Sequence, residues 1–338
     1  MPQVALVGGA HIHTPNFVKK LASTDDIATR YVWDPDAAVA KARQEVTGGD
    51  IVDDASVIWN DKAVDAVVIC SQTDLHQDLV LAAAQAGKHM FVEKPLGMDS
   101  SDAWQMAKAI NDAGVLFQTG YFMRGNPKIQ YVRQLLQEGT LGKVTRLRLS
   151  NCHAGSLGGW FDTEWRWMAD PARAGCGAFG DLGTHVLDLL LWLTENDSVD
   201  ACTGHVGVAT ERYGKQCDEY GEGMIRFRSG AVATIAGGWV DVANPNSLEI
   251  SGTEGHARIT HGDLYLTTAN LPDADGKSPW TTDLPDAWPH AFDLFLQAIK
   301  GDTDAPLVRP EEAALRSSVM TAIYQGAEQK TWATPELA

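Results

Sequence analysis

The sequence predicts two domains of different build, α/β followed by α+β. Residues 1–122 read as a doubly wound parallel sheet, and residues 123–338 as a large open, mostly antiparallel sheet flanked by helices. Three observations predict this. Through about residue 120, short unbroken apolar runs alternate with helical patterns, as strands covered on both faces and their crossover helices do. From about Leu147, apolar and polar residues alternate between Gly, Ser and Asn, the mark of a sheet with one wet face. A length of 338 residues is also that of two average domains.

The elements follow in order. VALV (4–7) reads as a buried strand and FVKKLASTD (17–25) as a helix, with Thr14-Pro15 as its first turn. TRYVWD (29–34) is a strand ending at Asp34, and AAVAKARQEV a helix. DAVVIC (65–70) is a strand, and HQDLVLAAAQAGK a helix closed by Gly87. HMFVEK is a strand, SSDAWQMAKAINDAG a helix with a Ser/Asp start and a glycine stop, and VLFQTGY a strand. In the second half RLRLSNCH, EGMIRFR, AVATIAGGW, SLEISGT and LYLTT are strands, interrupted by the helix GTHVLDLLLWL. Helices at HAFDLFLQAIKG and RPEEAALRSSVMTAIYQ follow, the second with Pro310 in its first turn and acids behind it. Residues 270–286 are the one long loop, and no internal repeat is visible.

Composition excludes several classes. With 44% hydrophobic and 21% charged residues the chain can build a large core. A net charge of −17 argues against both a nucleic-acid footprint and attraction to an anionic membrane. Five widely spaced cysteines without a CxxC point to neither a disulfide framework nor a thiolate zinc site. No basic leader precedes VALV and no apolar run approaches membrane-spanning length, so the expectation is a cytoplasmic protein.

In a doubly wound domain the first strand–helix turn carries a phosphate. Here that turn is Gly8-Gly9-Ala10-His11-Ile12-His13. Against G-x-G-x-x-G, Gly8 fits, Ala10 replaces the second glycine and His13 the third. The second glycine admits backbone to the pyrophosphate, and the third lets helix pack on strand. Asp34, 26 positions after Gly8, ends the second strand where a carboxylate accepts ribose hydroxyls of NAD and repels a 2′-phosphate, which leaves NADP open but disfavoured. WDPD also reads as an Asp-Pro turn. The His11-x-His13 pair raises a metal hydrolase as a rival. Both histidines lie beyond the strand, however, and no further ligand stands nearby at a recognisable spacing. The reading is a modified phosphate cradle with Gly8, Ala10, His11 and Ile12 facing the cofactor, and no metal.

GKHMFVEKPLG (87–97), followed by GAFGDLGTHVLDLLLW (177–192), resembles the glucose–fructose oxidoreductase, inositol dehydrogenase and rhizopine-catabolism oxidoreductase family, called Gfo/Idh/MocA. ICSQTDLH (69–76) and EWRWM (164–168) extend the likeness, although Gln72 stands where the family usually has proline. E-K-P followed by D-x-x-x-H is the specific part. The resemblance implies a Rossmann domain and a nicotinamide-dependent enzyme transferring hydride at a hydroxyl or carbonyl of a sugar, inositol or related polyol.

The family's catalytic lysine maps onto Lys94, and its aspartate and histidine onto Asp181 and His185. Four residues apart on a helix, Asp181 and His185 share a face and can reach one hydroxyl. Oxidising an alcohol needs a base for its proton, for which His is suited near neutral pH, and Lys94 can stabilise alkoxide character. Asp181 orients the histidine or holds a neighbouring hydroxyl. The resemblance also implies Ser71, Thr73, His76, Glu93, Trp165 and Arg166 at the cofactor, and Arg124 at the substrate. Trp160 and Trp239 could stack on a sugar ring or be core tryptophans. It further implies a homodimer or homotetramer formed through the second sheet. Two alternatives stand beside this reading: glycoside cleavage by oxidation, elimination and re-reduction on tightly held NAD, and a non-catalytic dinucleotide-binding regulator.

Overall fold

The computed structural model describes residues 1–195 and 197–337. The chain forms two compact units, the first made of 1–122, 161–175 and 289–317, the second of 123–160, 176–288 and 318–338. A single crossing at 122 therefore describes only the first passage of the chain. Two later segments return to the first unit.

The first unit opens with β1 (Gln3–Val7), α1 (Thr14–Ala22), β2 (Ala28–Trp33), α2 (Ala37–Thr47), β3 (Asp50–Ile51) and α3 (Ser56–Asn60). It continues with β4 (Ala66–Ile69), α4 (His76–Gln85), β5 (His89–Val92), α5 (Ser100–Ala113) and β6 (Phe117–Thr119). The six strands are parallel in the order β3-β2-β1-β4-β5-β6, the Rossmann order. Successive strand residues point to opposite faces, so each strand feeds two cores. Ala5, Val7, Val67, Ile69, Met90 and Val92 pack with α4 and α5. Val4, Leu6, Val32, Val68 and Phe91 pack with Phe17 of α1 and with Phe292 and Phe295 from the returning segment 289–317. Phe17 stacks on Phe292 at 4.5 Å between ring centres, and each such buried ring contributes roughly 1.5–3 kcal/mol.

Local chemistry sets the helix ends. Asp36 accepts from the Ala38 amide to cap α2, and a reciprocal Asp99–Asp102 capping box starts α5, which stops at Gly114 in the left-handed region. The structure adds β3 and α3, which are too short to carry a periodic signal.

The second unit contains α6 (Pro127–Gln137), β7 (Val144–Cys152), α8 (Ala178–Leu193), β8 (Val199–Gly207), β9 (Tyr220–Phe227), β10 (Val232–Gly238), β11 (Ser247–Gly252), β12 (Gly255–Thr260) and β13 (Asp263–Thr268). The short α7 (Pro171–Ala174) and α9 (Ala291–Ile299) belong to the first unit, and α10 (Pro310–Gln329) closes the chain. The seven strands run β13-β12-β11-β7-β10-β9-β8, antiparallel except for the central parallel pair β7–β10. The strand β9 alternates exposed and buried residues along its length, as one wet face requires. The sequence pattern missed α6, β8 and β12. In β8 the alternation is broken by a run of half-buried residues, so no clean period appears.

The helix α8 is apolar nearly all round and buried along almost its whole length. It lies against β7 and β10, and glycine sets the approach. A Cβ on Gly237 would sit 2.8 Å from the Gly183 amide nitrogen and 3.0 Å from the Phe179 carbonyl oxygen. Gly237→Ala should therefore push the helix off the sheet and lower stability by about 1–3 kcal/mol, the usual cost of overpacking. Urea unfolding of the variant beside the wild type checks this.

Candidate active site

Parallel pairing brings strand ends into one row. Val7 stands opposite both Trp33 and Ile69, and Ile69 opposite Val92. The residues that follow, Gly8, Asp34, Cys70 with Ser71, and Glu93 with Lys94, therefore share the carboxyl edge of the sheet, where doubly wound proteins bind ligands.

Gly8 has φ +80°, and a Cβ there would lie 2.5 Å from the Ser71 Cβ and 2.7 Å from its backbone nitrogen. Only glycine fits. The Gly9 amide donates to Asp34 Oδ2 at 2.6 Å, and the Asp36 amide to Asp34 Oδ1 at 2.8 Å. Asp34 thus ties the glycine turn to the end of β2 while also forming the Asp-Pro turn that WDPD suggests. Burial raises its carboxyl pKa, partly offset by those two amides. The His11 amide donates to the Cys70 carbonyl at 3.0 Å, and Trp167 Nε1 to the Ala10 carbonyl at 3.1 Å. Among the described residues the amides of Ala10 and Ile12 have no hydrogen-bond partner. A turn shaped around its first glycine, with two unclaimed amides and a carboxylate at the end of β2, fits a dinucleotide despite Ala10 and His13.

The two histidines of the turn meet an acid 80 residues on. Glu93, fully buried, receives a hydrogen bond from His13 Nδ1 at 3.0 Å, and His11 Nδ1 lies 3.7 Å from the same Oε1. The other oxygen, Oε2, accepts from the Lys94 amide at 2.9 Å. Burial by itself raises the Glu93 carboxyl, but the charges of His11 and His13, the His13 hydrogen bond and the Lys94 charge together hold it well below the usual carboxylate range. The sequence offers no third partner for the His-x-His pair, whereas the fold supplies one. Gly120 leaves room for it, since a Cβ there would lie 2.9 Å from Glu93 Oε2.

Lys94 is buried and precedes a cis peptide to Pro95. Ser71 and Thr73 are buried beside the turn. His76 is buried at the start of α4, with Nδ1 3.1 Å from the Leu96 carbonyl, which makes Nδ1 the protonated nitrogen. Burial lowers its pKa, so the ring is neutral. Trp165 and Arg166 also lie in the first unit, Trp165 half-buried with its Nε1 unpartnered and Arg166 exposed.

The second unit carries Asp181 and His185 on successive turns of α8. His185 is buried, one of the few polar side chains on this largely apolar helix. The Trp239 indole donates to Asp181 Oδ2 at 3.0 Å. Trp239 is 0% exposed, so it presents no ring face to a sugar; it holds Asp181 instead.

Asp218 was invisible to sequence reasoning. Its Oδ2 accepts from the Phe179 amide at 2.8 Å, its carbonyl from the Ala178 amide, and its Oδ1 from the Tyr324 hydroxyl at 3.0 Å. It thereby fixes the N-terminus of the helix that carries Asp181. Arg124 forms a buried two-point ion pair with Asp188, at 2.9 and 2.5 Å, which engages its guanidinium inside the unit. Trp160 is 47% exposed and rests against His153 at 4.5 Å between ring centres.

A Rossmann sheet with this turn, followed by an open-sheet unit with an Asp–His helix, is the class of two-domain dinucleotide-dependent oxidoreductases. The chain belongs to the GFO/IDH/MocA family. Residues 3–121 match its model of an oxidoreductase family with an NAD-binding Rossmann fold, and residues 129–258 match its GFO/IDH/MocA C-terminal domain.

It is 30% identical to a 1,5-anhydro-D-fructose reductase of Ensifer adhaerens, over 75% of this chain and 74% of that one. It is 28% identical to a myo-inositol 2-dehydrogenase of Thermotoga maritima, over 66% and 64%. A levoglucosan dehydrogenase solved with NADH and levoglucosan shares the fold, with a TM-score of 0.79 at 20% identity, over 98% of each chain. Among the described residues no helix is long and apolar enough to cross a membrane.

His76 generates a pH prediction. Its folded pKa lies below its unfolded value of about 6.5, so the unfolded chain binds the extra proton first. The stability tied to its neutral ring is complete above that value and is lost as pH falls below it. The stability difference between wild type and His76→Gln should shift against the wild type from pH 7.5 to 5.5, by at most about 1.4 kcal/mol, the equivalent of one pKa unit. Urea unfolding of both proteins at the two pH values measures it, because other titrating groups cancel in the difference.

Proposed function

We propose that this protein is an NAD-dependent dehydrogenase or reductase acting on a hydroxyl or carbonyl of a sugar, inositol or related polyol. One observation carries the catalytic part: Asp181, anchored by Trp239, shares a face of the apolar helix α8 with buried His185. Burying His185 and half-burying Asp181 on that helix costs free energy that packing alone does not require. The printed activities of the anhydrofructose reductase and the inositol dehydrogenase supply the substrate class.

Gly8, the amides of Ala10 and Ile12, and Asp34 hold the dinucleotide, with Ser71, Thr73, His76, Glu93, Trp165 and Arg166 along its course. When bound, NAD supplies the hydride acceptor. His185 takes the proton of the reacting hydroxyl, or returns it in reduction. Lys94 stabilises negative charge on that oxygen, and Asp181 orients the histidine. Trp160 offers a stacking face for the substrate ring, whereas the ion pair with Asp188 makes Arg124 a support of α8. The seven-stranded sheet exposes Tyr220 and Met224 on its wet face, which is the surface assigned to pairing of copies in a cytoplasmic oligomer.

Two measurements test this. Nicotinamide fluorescence should show NADH binding at least about tenfold more tightly than NADPH, because Asp34 repels a 2′-phosphate; equal affinities would remove that role. On a panel of sugars and inositols, His185→Ala should lower turnover by roughly 10²–10⁴-fold and leave NADH affinity unchanged. Turnover surviving within a few-fold would remove His185 as the acid–base.

A further inference from the structure

Among the described residues, one cluster has the composition of a metal site. His11, His13 and Glu93 each offer a ligand atom, and these atoms lie within 4.8 Å of one another. From Glu93 Oε1 the distance is 3.0 Å to His13 Nδ1 and 3.7 Å to His11 Nδ1. Four-coordinate zinc with bonds near 2.0–2.1 Å separates its ligand atoms by about 3.4 Å. The two separations from Glu93, 3.0 and 3.7 Å, bracket that spacing, and the third is at most 4.8 Å.

We propose that His11, His13 and Glu93 form a binding site for a borderline divalent transition metal of the Zn²⁺ class. Two imidazoles and one carboxylate suit Zn²⁺ or Co²⁺ and not Mg²⁺ or Ca²⁺, which require oxygen ligands. The site is prepared for a cation. His11 Nδ1 accepts from the His13 amide at 3.3 Å, so this nitrogen carries no proton, and an entering metal takes its lone pair over from that long contact. The Glu93 carboxylate is anchored through its other oxygen by the Lys94 amide, which leaves Oε1 to coordinate. Its buried negative charge gains a full countercharge when metal enters.

His11 is itself buried against Trp167, with ring centres 6.0 Å apart, so its orientation is fixed by packing. The fourth position is supplied by solvent. His13 and Glu93 border a cavity of about 360 Å³ that Phe17, Gly120, Phe122 and His290 also line. Three protein ligands with one open position is the arrangement of exchangeable zinc sites.

The site shares Glu93 and the glycine turn with the proposed cofactor course, and the test keeps the two readings apart. Chelator-treated full-length protein is titrated with Co²⁺ and followed by visible absorption, then with Zn²⁺ in competition; NADH binding is measured separately on the same samples. The expected result is one equivalent of Co²⁺ with the absorption of a four-coordinate ion, displaced by Zn²⁺. His13→Ala, at a partly exposed position, and Glu93→Gln, which preserves shape, should each weaken binding at least about 100-fold, since loss of an outer-shell partner already costs up to that much. Absence of stoichiometric Co²⁺ and Zn²⁺ binding by the wild type overturns the proposal. So does unchanged binding in both variants, because the ion would then sit elsewhere.

Discussion

The first unit depends on parallel register. Once Val7, Trp33, Ile69 and Val92 stand side by side, the four chain segments that leave them start from one edge. The backbone there lacks further strand partners, so amides and carbonyls turn to side chains. Asp34 answers for Gly9, Glu93 for Lys94, and the Cys70 carbonyl for His11. Gly8 then becomes obligatory, because Ser71 fills the space that any side chain would need. The glycine turn is thus held less by its own sequence than by its two neighbouring strand ends. That explains how Ala10 and His13 stand in places where glycine is usual without dismantling it.

The second unit uses the converse device. Its sheet is open, and the apolar helix α8 lies against β7 and β10 at a distance that Gly237 permits. Polar side chains on such a helix must be answered where they fall. Trp239 answers Asp181, Arg124 answers Asp188, and Asp218 with Tyr324 answers the helix N-terminus. Asp181 is held by that set of contacts, directly through Trp239 and at the helix start through Asp218.

The glycine turn carries side chains that an anion site does not call for. His13 stands where an ordinary phosphate loop has its third glycine, His11 occupies a variable position of that loop, and Glu93 brings a buried negative charge to them. An anion-binding turn gains nothing from an added carboxylate. A cation does, and this contrast separates the cluster from the dinucleotide chemistry around it.

Much of the fold was legible in the chain. Strand–helix alternation, the glycine and Asp stops and the later two-residue period report local burial, which repeats every few residues. Asp34 could be placed because it ends a strand, and Asp181 with His185 because four residues make a helical turn. What lay beyond reach was every pairing across sequence. Glu93 meets His13 across 80 residues, and Trp239 meets Asp181 across 58. Local periodicity says which face a residue takes, but not which distant residue shares it. Strand register and the close fit of helix on sheet decide that, and so it was the tertiary structure alone that buried Trp239, tied Arg124 to Asp188 and completed the His–His–Glu cluster.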